Sequence, residues 1–435
     1  MEIYSLGQKI KKLRKEKNMT LKELAGSRIT AAQISHIERD KSFPSQDLLE
    51  YFAEKLGVTI DYLLESREFQ AKKISNNLLL KSEILYKSNR FEEAKREIDK
   101  TVRLCDTYGL FEDCAKVKYL EGLINFKEKN MRTAIQKLEQ AFLLYIRSSD
   151  FEGAAKCCIK MGKMYLEEDL KEAALDKLHQ GEDILKEYGV KSPSLEREIQ
   201  VALAYAYMKN SNPDKSNVYA IKAEETLKIQ GYKEDKGKVL FVMGNNAMEK
   251  SNYDDALEYF QKALSIYEEH HKSREKAEVE AMMGRVYRYI DDEEKALNHF
   301  EKAYSIKKNY EDIQFLKVAL EFADELIDVN NIVGAKSKIK EALSMSIKLK
   351  EKPYEYKALR LYSKVLELEG KSEEAVENMK KSLEMAKTLG IGKEIVETCF
   401  ELARQYKGVS QEEETKYYLQ GIKYYKELDW KWKNI

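Results

Sequence analysis

Residues Val242–Ala263 read VMGNNAMEKSNYDDALEYFQKA. In the second half, Tyr253, Ala256, Phe260 and Ala263 fall at i, i+3, i+7 and i+10, one face of an amphipathic helix. In the first half, Val242, Met243 and Ala247 surround Gly244, whose missing side chain lets a second helix come close. The stretch predicts a helical hairpin with one small residue on each arm, Gly244 and Ala256, twelve positions apart.

The same pair recurs along the chain. The later member is Ala94, Ala134, Ala174, Ser216, Ala256, Ala296, Ala335, Ala375 and Thr415, at steps of 40, 40, 42, 40, 40, 39, 40 and 40. Twelve residues before each stand Ser82, Gly122, Gly162, Ala204, Gly244, Gly284, Ala323, Ser363 and Ala403. Met131, Ala134, Leu138 and Ala141 repeat the helical spacing of the 253–263 arm. Small residues at both crossing points let the two helices approach, while larger ones reach the next hairpin. No unit buries its face alone, so the units must stack into a solenoid. Turn signals fall at the joints: Tyr108-Gly109, Tyr188-Gly189, Gly231, Lys352-Pro353 and Leu389-Gly390-Ile391-Gly392. The first and fourth repeats depart most from the pattern. The final helix carries Tyr417, Tyr418, Tyr424, Tyr425, Trp430 and Trp432, which leaves capping and self-association both open.

Composition narrows the function. The 435 residues carry 76 basic and 76 acidic side chains, so no global field marks a nucleic-acid coat. Mean hydropathy is −0.61 and no long apolar run is present, which argues against a membrane span. The first residues lack a basic segment followed by an apolar stretch, so a cytoplasmic location is expected. Five cysteines, at 105, 114, 157, 158 and 399, have neither metal nor framework spacing and read as buried reduced thiols. The histidines at 36, 179, 270, 271 and 299 lack H-E-x-x-H spacing, and His270-His271 reads as a solvated turn. With no P-loop, G-x-G-x-x-G or G-x-S-x-G, the chain is expected to be no enzyme and to use no cofactor or metal.

Residues 1–66 follow another pattern. Thr20 with Glu23, and Thr30 with Gln33, are capping boxes that start two consecutive short helices across a turn containing Gly26, a helix-turn-helix. Residues 1–45 hold ten basic against five acidic side chains, a local bias suited to phosphate. By the docking geometry of this motif, the start of the second helix meets the major groove. Ala31, Ala32, Ser35 and His36 would face base edges, and Gln33 would bond a base or a phosphate where its capping box leaves it free. Arg39, Lys41 and the first turn after Thr20, with Lys22 and Arg28, are phosphate candidates. Leu13, Leu24, Ile34 and Ile37 are core.

Thr20-Leu21-Lys22-Glu23-Leu24-Ala25, Ile34-Ser35-His36-Ile37-Glu38-Arg39, Pro44-Ser45 and Leu56-Gly57-Val58-Thr59-Ile60-Asp61-Tyr62-Leu63 resemble, in order, the signature of Xre/Cro-type helix-turn-helix domains. One departure is that eight residues separate Ala25 from Ile34, one fewer than is common in that family. The resemblance implies an internal Arg14–Glu38 pair. Met161-Gly162-x2-Tyr165 and Met283-Gly284-x2-Tyr287 resemble helix A of the tetratricopeptide repeat, although the period here exceeds the usual length of about 34 residues. The extra residues must lengthen the helices or the joints. Head and repeats together resemble the RRNPP family of peptide-quorum-sensing receptors, most closely its NprR-like members. The expected fold is all-α: a helix-turn-helix domain at 1–66, a helical linker at 67–75, and at 76–435 a right-handed solenoid of about nine tetratricopeptide-like hairpins.

The resemblance implies a transcription regulator that binds a duplex DNA operator and a short linear signalling peptide, with the peptide altering dimer or tetramer packing. Rap-like members imply an alternative, a repeat domain that sequesters or dephosphorylates a response regulator, and a plain scaffold is a third. The groove is expected along the A helices, at positions one and four after, and three and six before, the small residue. This places there Lys163 and Leu166; Tyr205, Val201 and Met208; Asn245, Phe241 and Met248; Arg285, Arg288 and Ala281; Asp324 and Lys317; and Lys364, Arg360 and Lys357. Asn can pair both main-chain groups of a peptide, Arg can hold a carboxylate bidentately, and Phe and Met form side-chain pockets.

Overall fold

Two capping boxes set the start of the helix-turn-helix. Thr20 and Thr30 each accept from the backbone N–H three residues on, and Glu23 and Gln33 reach back to the Thr N–H. A computed structural model describes the backbone at residues 2–230 and 233–433, and side chains at 2–227 and 235–427; Gly231, Trp430 and Trp432 lie outside the described side chains. Every regular element among the described residues is a helix. The head consists of α1 (Leu6–Glu16), α2 (Leu21–Ala25), α3 (Ala31–Ile37), α4 (Gln46–Leu56) and α5 (Ile60–Leu64). Ile10, Leu24, Ile34, Ile37, Phe52, Leu56 and Leu63 form its core. Gly7 lies where α1 crosses the end of α3, and a Cβ there would meet the Ile37 carbonyl oxygen at 2.1 Å.

Helical hairpins follow among the described residues. They pair α6 (Arg67–Lys87) with α7 (Phe91–Tyr108), α8 (Phe111–Lys127) with α9 (Met131–Arg147), and α10 (Phe151–Glu167) with α11 (Lys171–Glu187). Next come α12 (Pro193–Lys209) and α13 (Pro213–Gln230), then α14 (Lys233–Glu249) paired with α15 (Tyr253–Glu269), and α16 (Ser273–Tyr289) with α17 (Glu293–Lys307). The last three are α18 (Ile313–Asp328) with α19 (Ile332–Leu349), α20 (Lys352–Leu368) with α21 (Ser372–Leu389), and α22 (Gly392–Tyr406) with α23 (Gln411–Lys433). The chain divides into two compact units, Met1–Ala206 and Tyr207–Ile435.

The 40-residue period has a simple origin. From α8 to α11 each helix is 17 residues long, and the joints 128–130, 148–150 and 168–170 have three residues each. Each joint turns on a left-handed residue at its centre, Lys129, Ser149 or Asp169. The residue after it donates back across the turn, as Asp150 N–H does to the Tyr145 carbonyl at 2.9 Å, satisfying a carbonyl at the helix end. His271 occupies the same left-handed position in its joint. The joints are short, so the residues in excess of the usual repeat lie in the helices.

The small residues stand where the two helices of a hairpin cross. A Cβ on Gly162 would meet Leu178 Cγ at 2.6 Å and the Ala174 carbonyl oxygen at 3.3 Å, and one on Gly244 would meet the Phe260 ring at 2.6 Å. Ser363 fits because its hydroxyl donates to the Ala375 carbonyl at 2.6 Å. The ninth pair differs. Thr415 is exposed, and Tyr417 instead enters the last core beside Met379, Leu383 and Leu402, stacked on Tyr406 at 5.8 Å. Tyr418, beside Phe400, and Tyr425 remain exposed.

Cys105, Cys157, Cys158 and Cys399 are buried free thiols, and burial pushes the last two up to about 12 and about 11 respectively. No described helix is long and apolar enough to cross a membrane.

Candidate functional site

Helix α3 is held on its inner side by three groups. Ile34 and Ile37 enter the head core. Arg14 grips Glu38 bidentately at 2.6 and 3.0 Å, and its third nitrogen donates to the Met19 carbonyl at 2.8 Å. Asp40 accepts from the Ser5 hydroxyl at 2.5 Å and from the Gly7 N–H at 3.0 Å, tying the end of α3 to the start of α1. The outer side is left to Ala32, Gln33 and His36, which are exposed, and to Ala31 and Ser35, which are half-buried.

The capping box decides what Gln33 can offer. Its Oε1 accepts from the Thr30 N–H and hydroxyl at 2.9 and 3.0 Å, so the amide NH2 remains as an outward donor. Arg39 donates to the Ser35 hydroxyl at 2.7 Å, joining a phosphate candidate to a base-facing one. Thr20, Lys22, Thr30 and Lys41 are exposed, and Arg28 lies over the Tyr51 ring at 5.8 Å. Two cations of the basic run turn inward. Besides Arg14, Lys9 is 1 % exposed and donates to the carbonyls of Tyr62 and Glu65 at 2.6 and 2.8 Å. Burial lowers its pKa, against the pull of Glu65.

The head is fastened to the first array helix. Tyr4 N–H donates to Gln70 Oε1 at 3.1 Å, and Gln70 Nε2 donates to the Tyr4 carbonyl at 2.9 Å. Lys73 pairs with Glu65 at 2.5 Å.

On the A helices, cations find carboxylates on a neighbouring repeat, the next one for all but Lys364. In the first unit Lys163 pairs with Glu198 at 2.5 Å. In the second, Arg285 pairs with Glu321, Arg288 with Asp324 and Glu325 at 3.7 Å each, and Lys364 with Asp324 at 3.6 Å. Arg360 holds Glu401 at 2.7 Å through two nitrogens and Glu397 at 2.8 Å. Burial opposes the charge of Arg360, but Glu401 and Glu397 outweigh it and its pKa is raised.

Arg288, Asp324, Arg360 and Lys364 are brought to one cleft of about 470 Å³. Lys317 and Lys357 line it as well, with Leu320, Leu361 and Tyr354 as its apolar and aromatic part and Glu321 as a second acid. Glu321 and Leu361 were missed from sequence, although each stands two before the small residue of its helix; Leu320, three before Ala323, satisfies the spacing rule.

Other expected groove residues pack differently. Phe241 is 7 % and Asn245 6 % exposed, the Asn245 amide donates to the Phe241 carbonyl at 2.9 Å, and the Phe241 ring lies 6.0 Å from that of Phe260. Neighbouring Asn246 donates to the Ser216 hydroxyl at 3.0 Å, which accounts for Ser in the fourth repeat where all others but the ninth carry Ala. Tyr205, Met208 and Met248 are half-buried.

Comparison with known proteins places these features. A helix-turn-helix domain model matches residues 7–68, a tetratricopeptide repeat model residues 235–309, and a soluble NSF attachment protein model residues 77–229. The HTH-type transcriptional regulator DdrOP3 of Deinococcus deserti is 35 % identical over 65 residues, 15 % of this chain, and the match spans half of that relative's length. The apo form of the quorum sensor NprR from B. thuringiensis has a TM-score of 0.61 at 17 % identity, over 82 % of this chain and 99 % of that one. Apo RapI gives 0.58 at 17 % identity over 82 % and 98 %, and NprR in complex with its cognate peptide NprX gives 0.54 at 16 % over 80 % and 98 %. The chain thus joins a helix-turn-helix domain to a tetratricopeptide-type array with the fold of NprR and RapI, in keeping with its resemblance to the peptide-quorum-sensing receptors.

Proposed function

We propose that the protein is a transcription regulator whose helix-turn-helix head binds duplex DNA and whose repeat domain takes a short signalling peptide on its A-helix face. The observation that carries the DNA reading is the outward face of α3, braced from behind by Arg14–Glu38 and Asp40 and flanked by exposed Lys22 and Lys41. In this reading α3 enters the major groove by its N-terminal turns. Ala31 and Ala32 offer apolar contact to thymine methyls. Gln33 donates to a purine N7 or a carbonyl of a base edge, and His36 bonds a purine. Thr20, Lys22, Arg28, Arg39 and Lys41 hold phosphates, which fixes register without reading sequence.

The peptide reading rests on the cleft between the sixth, seventh and eighth A helices, with apolar, aromatic and charged groups in one place. Binding need only favour one arrangement of the array over another to change how two heads meet a two-fold operator. A homodimer or tetramer is the assembly this requires. NprR, whose fold is similar, has been solved with its cognate peptide, and this supports the reading.

The test is selection of duplexes from a randomised pool by the purified protein, followed by mobility shift. A defined motif is expected, and Gln33→Ala or His36→Ala should each relax one position at a cost of about 1–3 kcal/mol. Binding that depends on salt alone, with no motif enriched, would sink the proposal.

A further inference from the structure

The cations of the second unit's cleft are not equivalent. Arg288 and Lys364 share Asp324, and Arg360 is held by Glu397 and Glu401. Lys317 and Lys357 line the same cleft, and among the described residues neither has a carboxylate within 4.0 Å; Lys357 rests on the Tyr354 ring at 5.6 Å instead. Lys317 is half-buried on α18. Burial, and then the charge of Arg285, lower its pKa, outweighing the more distant pull of Glu321 and Glu278. The lining as a whole carries five cations against two carboxylates.

An ammonium group in this position costs stability until an anion joins it. The acids already in the lining disfavour a dense polyanion, and the unpaired groups are lysines, point charges that impose no bidentate geometry. A single carboxylate fits this pattern, with the adjoining Leu and Tyr surface taking the apolar part of the same ligand.

We propose that this cleft anchors one carboxylate of the bound peptide, supplied by an acidic side chain or by its C-terminus, against Lys317 and Lys357. The proposal deepens the peptide reading above and rests on it. It makes the cleft a selector among peptides: a neutral, amidated peptide leaves both lysines unpaired and binds weakly.

The test uses the full-length protein and three synthetic heptapeptide pools. One contains Asp and Glu with an amidated C-terminus, one excludes both but has a free C-terminus, and one excludes both and is amidated. Peptides retained by the protein are identified by mass spectrometry, and the best is titrated by fluorescence anisotropy. Retention from the first or the second pool is expected, which also identifies the source of the carboxylate. Lys317→Met with Lys357→Met should weaken the best peptide by about tenfold to a hundredfold, the worth of a charged hydrogen bond. Lys357→Glu, at an exposed position, should do the same with thermal unfolding unchanged. Equal retention from the neutral pool, with variant affinities within about twofold of the parent, overturns the carboxylate anchor and leaves the peptide reading standing. Retention from no pool overturns the peptide reading itself, and the anchor with it.

Discussion

Lysine and arginine are used in opposite ways on the head and on the A helices of the array. On the head, Lys11, Lys15, Lys22 and Lys41 stand in water with no carboxylate partner among the described residues. On the A helices, Lys163, Arg285, Arg288 and Arg360 each reach a carboxylate on the next A helix. The difference is one of availability. Charge left hydrated is free to displace counterions from a polyanion. Charge committed to a neighbour fixes the spacing of two hairpins and is lost to any other partner. Each region holds exceptions, Arg14 and Lys9 in the head and Lys317 and Lys357 in the array, and the exceptions sharpen the contrast.

Four experiments press on it, in order of expected effect. Glu38→Ala should be the most damaging, because it strands the Arg14 guanidinium inside the head. A loss of about 3–5 kcal/mol is expected, seen as collapse of hydrogen-exchange protection in α3. Retained protection would mean that this pair is as dispensable as a surface one. Next, Arg360→Met should cost about 2–3 kcal/mol, since it leaves the half-buried Glu401 and Glu397 without their donor. Calorimetry should show the array melting earlier by several degrees.

Lys22→Ala and Lys41→Ala should do the reverse, leaving thermal unfolding nearly unchanged while each lowers the dependence of log affinity for DNA on log salt by about one. A melting shift as large as that of Arg360→Met would erase the distinction between the two regions.

The smallest effect concerns Glu325, 1 % exposed, with one oxygen lacking a hydrogen bond. Burial raises its pKa, with Arg288 pulling the other way. A carboxyl raised in the folded state is best accommodated protonated, so its penalty grows as pH climbs from the unfolded value, about 4.3, through the folded one. Glu325→Gln should therefore stabilise the second unit at pH 8, and the gain should fade as pH falls toward 4. An equal gain at both pH values would mean that the ionised form bears no such penalty.

Much of the fold was legible because it depends on local signals. The step of 40 residues follows from helix and joint lengths, and the pairs such as Gly244 with Ala256 mark crossings that tolerate no bulk. Thr20–Glu23 and Thr30–Gln33 are visible as caps because their partners lie three residues apart. The candidate groove was read less fully. Spacing from the small residue found Arg288, Asp324, Arg360 and Lys364, but the carboxylates that engage Arg288 and Arg360 lie 36 to 41 residues away on a neighbouring hairpin. Which cations are already satisfied depends on how two hairpins are rotated against each other, and no single helix carries that information. Asn245 and Asn246 illustrate the same limit: their amides serve a carbonyl within α14 and a serine on α13. The exposed Thr415 shows how a terminal repeat keeps the rhythm in sequence while a larger residue, Tyr417, takes over the contact.

Gln70 gives the head a property of its own. Its amide presents a donor and an acceptor side by side and engages Tyr4 as one peptide group engages another, and its Nε2 also reaches the Glu65 carbonyl at 3.1 Å. With Lys9 closing the end of α5 from within, the helix-turn-helix is keyed to α6 like a bit to its shaft. Such a coupling gives little play. In the proposed reading, a bound peptide would then change operator affinity by moving the head together with its first hairpin, not by a swivel between the two.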